Sequence, residues 1–223
     1  MKTIAALILA LASVCAQASV VLTNPFNNTA VGPLGESDTT TYGQVFTTPD
    51  AVNTVLDSFS LIVRSSTAAI SNLYAGVATW VNGGAGTAVF TSAPFSGNFA
   101  DWTEVIVGTG GVDLTPGQEY VAFFSASGLF DGTPDGLDVG LSDDSETLGF
   151  VFDNSAGASP LHANWDGRDA FRSFQLAGSM EFSPPLQEVP EPASLALLGA
   201  GLLAAAAARR RRSIADARAT EPA

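Results

Sequence analysis

The chain has 223 residues, of which 14% are charged and 46% hydrophobic, and nine Lys and Arg against 22 Asp and Glu give a formal net charge of −13. So acidic a protein offers no basic face to replace phosphate counterions, which excludes nucleic acid as a partner. A single cysteine and a single histidine exclude a disulfide scaffold, a cysteine zinc site and a multi-histidine metal centre.

The N-terminus reads as a secretory signal peptide over residues 1–18. Lys2 supplies the positive region, Ile4 to Ala12 is an unbroken apolar run, and Ala16-Gln17-Ala18 is a small-x-small cleavage site. Cleavage after Ala18 makes Ser19 the first mature residue. It also removes Cys15, leaving a cysteine-free domain. Lipidation at Cys15 is the alternative, and Val14 before it fits that poorly.

Residues 19–183 read as the exported domain. From Ser19 to Glu188 there are 19 acidic residues against three basic ones (Arg64, Arg168, Arg172), a net charge of −16. The apolar pattern has period two. Val55, Asp57, Phe59, Leu61 and Val63 alternate with Leu56, Ser58, Ser60 and Ile62. Leu73, Ala75 and Val77 alternate with Tyr74, Gly76 and Ala78, and Tyr120, Ala122 and Phe124 alternate with Val121 and Phe123. Phe174, Leu176, Met180 and Phe182 read as one face of a last strand. Strands are expected near 20–23, 42–47, 54–63, 72–81, 87–91, 103–107, 118–125, 138–142, 148–152 and 171–182. Leu114-Thr115-Pro116-Gly117 signals a turn, with Pro116 fixing the first central dihedral and Gly117 taking the positive one. About ten short strands without a helix predict an all-β fold, a two-sheet antiparallel sandwich of jelly-roll-like type.

Four chemistries are weighed on this domain. A Ser-His-Asp triad would need His162, and no Gly-x-Ser-x-Gly elbow occurs. A glycosidase would need two carboxylates across a cleft, with Glu104, Glu119 and Glu181 as candidates. Asp131, Asp135, Asp138, Asp143 and Asp144 crowd a Gly-containing stretch, which suits calcium, a cation that takes six to eight hard oxygens from flexible loops. The plain alternative is a solvated acidic turn. Trp102 and Trp165, each beside an Asp, suit sugar stacking, but core-edge packing with a bonded indole is the favoured reading.

Residues 184–188 form a short stiff linker. Then come Val189, Pro190, Glu191, Pro192, Ala193 and Ser194, an apolar run over 193–208, and Arg209, Arg210, Arg211 and Arg212. As a helix the run is about 24 Å long, at the lower edge of a bilayer span. The arginines stay cytoplasmic and stop transfer, with 213–223 as a cytoplasmic tail. The two prolines keep the motif extended, as a protease cleft requires.

This order of motif, apolar run and Arg cluster resembles the PEP-CTERM sorting signal of exported bacterial proteins, over residues 189–212. The resemblance implies processing by exosortase, a membrane-embedded cysteine protease-transpeptidase, in bacteria that make exopolysaccharide. It implies an exported protein held transiently in the inner membrane, then passed to the envelope or extracellular matrix. The expected role is structural or adhesive in the exopolysaccharide or biofilm layer, without enzymatic activity. A carbohydrate-binding module is the alternative, and a glycan-active hydrolase the third reading.

Overall fold

The computed structural model describes residues 18–36, 39–66, 71–134, 136–143, 149–154, 159–162, 164–167, 174–186, 199 and 201–202. The expected signal peptide up to residue 17, the motif at 189–194 and the arginines at 209–212 lie outside them. Among the described residues no helix is long and apolar enough to cross a membrane. Residues Gln17–Pro185 form one compact unit.

Thirteen strands run through the described part of this unit. They are β1 (Val20–Asn24), β2 (Ala30–Leu34), β3 (Thr41–Phe46), β4 (Val55–Ser65), β5 (Ser71–Val81), β6 (Gly84–Thr91), β7 (Phe95–Gly97), β8 (Thr103–Asp113), β9 (Tyr120–Ser125), β10 (Leu137–Ser142), β11 (Phe150–Asp153), β12 (Gln175–Leu176) and β13 (Gly178–Ser183). All pairings between them are antiparallel. The seven-stranded sheet is built on β4, with β8 along one side and β13 and β10 along the other. β1 lies outside β13, and β2 and β12 pair with β10. The six-stranded sheet runs β11-β3-β9-β5-β6, with β7 also on β5.

One core joins the two sheets. Leu56, Phe59, Leu61 and Val63 of β4, Val139 of β10 and Phe182 of β13 meet Tyr42 and Phe46 of β3, Leu73 and Val77 of β5, and Phe124 of β9. Phe59 meets Phe124 edge-on at 6.0 Å, and Phe46 lies 6.0 Å from Phe182. A second cluster lies on the opposite face of the six-stranded sheet: Val45, Ala78, Trp80, Val121, Phe123 and Val151, with Trp165 packed on them. β3 and β9 are therefore buried on both faces along their whole length, which is why β9 reads as the nearly continuous apolar run YVAFFS, while the buried Thr41 and Gln44 of β3 are hydrogen-bonded.

The expected turn forms at Thr115–Gln118. The Gln118 N–H donates to the Thr115 carbonyl at 3.2 Å, and Gly117 takes φ of 76°. Three expectations need correction. β2 and β7 were not anticipated. Gly32 and Pro33 argue against a strand, but β2 pairs only with β10, and a margin tolerates a proline that cannot donate. The strand expected over 103–107 runs on to Asp113, because the Thr109 hydroxyl bonds the Leu56 and Asp57 carbonyls across an irregularity. That irregularity sits between Leu56 and Ser58, so Asp57 does not share the face of Phe59. Finally, 174–183 is not one continuous strand. Ala177 breaks it, bonding through its N–H to Gly140 and through its carbonyl to Ile62, and Phe174 lies on the surface while Leu176 is buried.

Candidate functional site

The seven-stranded sheet turns its second face to solvent, and several polar side chains meet there. Arg64 of β4 and Asp138 of β10 face each other in register, with Nη2 donating to Oδ2 at 2.7 Å. The Arg64 guanidinium also lies over Trp102, 4.6 Å from the ring centroid, and Phe26 packs against the same ring at 4.6 Å. Phe26 reaches this position because Gly140 leaves room: a Cβ there would stand 2.9 Å from the Phe26 ring. Further along the same face, Glu104 accepts from the Ser60 hydroxyl at 2.6 Å and from the Ser179 hydroxyl at 3.0 Å.

A cleft of about 220 Å³ opens between the sheets beside β1, lined by Leu22, Phe46, Pro49, Phe59, Gln44 and Met180 among others. The Gln44 amide is bound into the backbone: its oxygen takes the Leu176 N–H at 3.0 Å and its nitrogen donates to the Val45 carbonyl.

Three of the five aspartates of the calcium reading, Asp131, Asp138 and Asp143, lie among the described residues, each with its own hydrogen-bond partner. Asp131 caps its own loop through the Thr133 N–H at 2.8 Å. Asp138 is engaged by Arg64, and Asp143 takes the Asn27 amide. Asp138 and Asp143 stand at opposite ends of β10, roughly 16 Å apart. Asp135 and Asp144 lie outside the described residues. Among the described residues no group of three or more His, Cys, Asp or Glu is placed to hold a metal ion.

Of the two tryptophans expected to stack on sugars, Trp165 is buried at 7% exposure. It stands edge-on to Trp80 at 5.9 Å and to Phe123 at 5.8 Å, and its indole N–H donates to the Pro160 carbonyl at 2.8 Å. This is the core-packing reading of Trp165 and rules against its use as a sugar platform. Trp102 is half-buried on the open sheet face, with Arg64 over its ring.

Glu104 and Glu181 share the open face of the seven-stranded sheet, the Glu104 carboxylate held by Ser60 and Ser179 and the Glu181 carboxylate 3.5 Å from the Ser58 hydroxyl. His162 Nε2 lies 3.1 Å from Oδ2 of the buried Asp153, which ties the 159–162 segment to the end of β11. Beside it, burial raises the Tyr74 phenol above its ordinary value. A hydrogen bond with Ser125 opposes that shift and the Asp153 charge adds to it. Sequence reasoning missed this polar corner of Thr41, Tyr74, Ser125 and Asp153. Its members are spread over four strands, and no local motif links them.

Residues 188–212 match the PEP-CTERM protein-sorting motif. The chain therefore carries a PEP-CTERM protein-sorting motif after an all-β, two-sheet domain. No curated protein matches it. Among solved structures it is similar to a clostridial cysteine protease, Cwp84, after propeptide cleavage, with 11% identity, a TM-score of 0.48, and 74% of this chain covered against 40% of that one. It is also similar to the cysteine protease and lectin-like domains of Cwp84, a surface layer associated protein of Clostridium difficile. Here identity is 13% and the TM-score 0.45, with 66% of this chain covered against 33% of the other. The chain thus spans less than half the length of either structure.

Proposed function

We propose that this is an exported bacterial protein, sorted by an exosortase to the cell surface or the extracellular matrix, where its ectodomain serves a structural or adhesive role in the exopolysaccharide layer. The observation that carries the reading is the sorting motif at residues 188–212. The non-catalytic part of the reading is supported by the open, uncleft sheet face on which Glu104 and Glu181 stand and by the packing role of the buried Trp165. From β3 onward most successive strands change sheets, which supports a jelly-roll-like path. A carbohydrate-binding role is the second reading and rests on Trp102 alone, with Arg64 and Asp138 beside it.

In this account the chain passes through the inner membrane by the 193–208 helix until cleavage near Pro190-Glu191-Pro192. Intact-mass measurement on protein from a native host tests it. The wild-type chain should lack Arg209 to Ala223, while Pro190→Ala/Pro192→Ala should retain them. A wild-type chain that keeps those residues would replace sorting with a simple tail anchor.

A further inference from the structure

The β5–β6 hairpin turns through two residues. Val81 of β5 pairs with Gly84 of β6, and Asn82 and Gly83 between them take φ of 54° and 78°. Positive φ at both central residues makes this a type I′ turn, for which Asn-Gly is a preferred dipeptide. Both residues are exposed, and a Cβ built at Gly83 would meet nothing within 4 Å. Asn82 is also the one asparagine of nine that glycine follows. Each of the others precedes a residue whose side chain crowds the following amide. The tip is held from outside as well, because the Trp165 backbone N–H donates to the Gly83 carbonyl at 2.8 Å.

We propose that Asn82–Gly83 is a self-modification site whose rate the hairpin tip controls. The nucleophile is the Gly83 backbone nitrogen, which no side chain of its own residue shields. It attacks Cγ of the Asn82 side-chain amide as it gives up its proton to solvent base. The new N–Cγ bond closes a five-membered succinimide, and the Cγ–Nδ2 bond breaks, releasing ammonia. Water then adds to one of the two ring carbonyls and opens the ring. One opening gives a normal aspartate. The other gives an isoaspartate, whose main chain runs through the former side-chain carbonyl. Water is the only co-reactant, and nothing is oxidised or reduced. The ring fixes rotation about the Asn82 Cα–C bond away from the left-handed value that a type I′ turn imposes. Closure therefore waits for the tip to open, and the Val81–Gly84 rung and the Trp165–Gly83 bond hold it shut. Isoaspartate adds one atom to the main chain of a two-residue turn. The rung and the Trp165–Gly83 bond cannot then both be kept, and Trp165 loses a tether over Trp80 and Phe123.

Ageing of the full-length chain in mildly alkaline buffer tests this, read by peptide mapping and by enzymatic methylation of isoaspartyl carboxylates. Conversion at Asn82 should exceed that at any other asparagine several-fold and rise with pH. It should run several-fold faster again in urea, where the turn is absent. Asn82→Gln, whose longer side chain closes no five-membered ring, should yield no isoaspartate at that position in either state. Conversion at Asn82 that is no greater than elsewhere, or independent of pH, overturns the site. A native rate equal to the rate in urea overturns its control by the turn. A second readout follows the product. The near-ultraviolet circular dichroism of the tryptophans should fall in step with the isoaspartate fraction. Freshly prepared Asn82→Asp, which adds the charge on an unbroken main chain, should keep the wild-type signal. A spectrum unchanged at full conversion overturns the coupling to Trp165.

Discussion

Trp165 shows how one residue type serves two readings until its neighbours are known. A tryptophan beside an aspartate in a loop suits a sugar, but a two-sided sheet needs something to cover its second face, and here Trp165 does so with its N–H bonded to Pro160. Trp165→Ala should therefore cost about 3–5 kcal/mol in denaturant unfolding, and Trp165→Phe clearly less. A ligand-stacking role would leave stability unchanged. Tyr74 gives a pH signature in the same region. Burial chiefly, with the Asp153 charge adding, raises its phenol above the ordinary value. Its contribution to stability is thus fully present below the unfolded-state pKa of about 10 and is lost as pH rises above it. Alkaline melts should show the wild type losing stability from about pH 10 upward, and Tyr74→Phe losing less over the same interval.

At the scale of elements, most of the strand pattern was legible because period-two alternation reports a sheet face directly. Four features were not. β2 and β7 are short strands whose pairing comes from a single neighbour and not from their own composition. The placement of Asp57 and the interruption at Ala177 depend on irregularities set by distant partners. Thr109 secures the first by bonding two carbonyls more than fifty residues away in sequence. The second requires Gly178, whose φ is 158° and where a Cβ would stand 2.1 Å from the Ser60 carbonyl oxygen of the adjacent strand. Gly178→Ala should force β13 away from β4 and cost more than about 2 kcal/mol, read as a fall in denaturation midpoint. Gly108→Ala is the control, because a Cβ there meets nothing within 4 Å. The candidate site was legible only as an inventory of acids and tryptophans. Which of them share a face depends on strand order, which alternation does not encode.

For the whole molecule the dominant quantity is charge. An ectodomain at −16 with Arg64 engaged by Asp138 should gain stability from any added electrolyte, because screening relieves self-repulsion. Calcium chloride and sodium chloride at matched ionic strength separate this screening from binding at the acidic loop: equal rises in melting temperature mean screening alone, and an additional rise with calcium that chelator reverses is the outcome expected if Asp131 to Asp144 hold an ion.

The register of β1 on β13 also has a mechanical consequence. Val20 aligns with Phe182, so residue 19 enters and residue 184 leaves the domain side by side, a strand spacing of about 5 Å apart. Tension between these two points does not slide the strands past each other, which would load every rung at once. It peels them open one rung at a time, with Val20–Phe182 first and Asn24–Gly178 last. A pull on both ends therefore opens the β1–β13 ladder from Val20–Phe182 inward, while β13 stays held on its other side by β4, where Ser183 aligns with Val55.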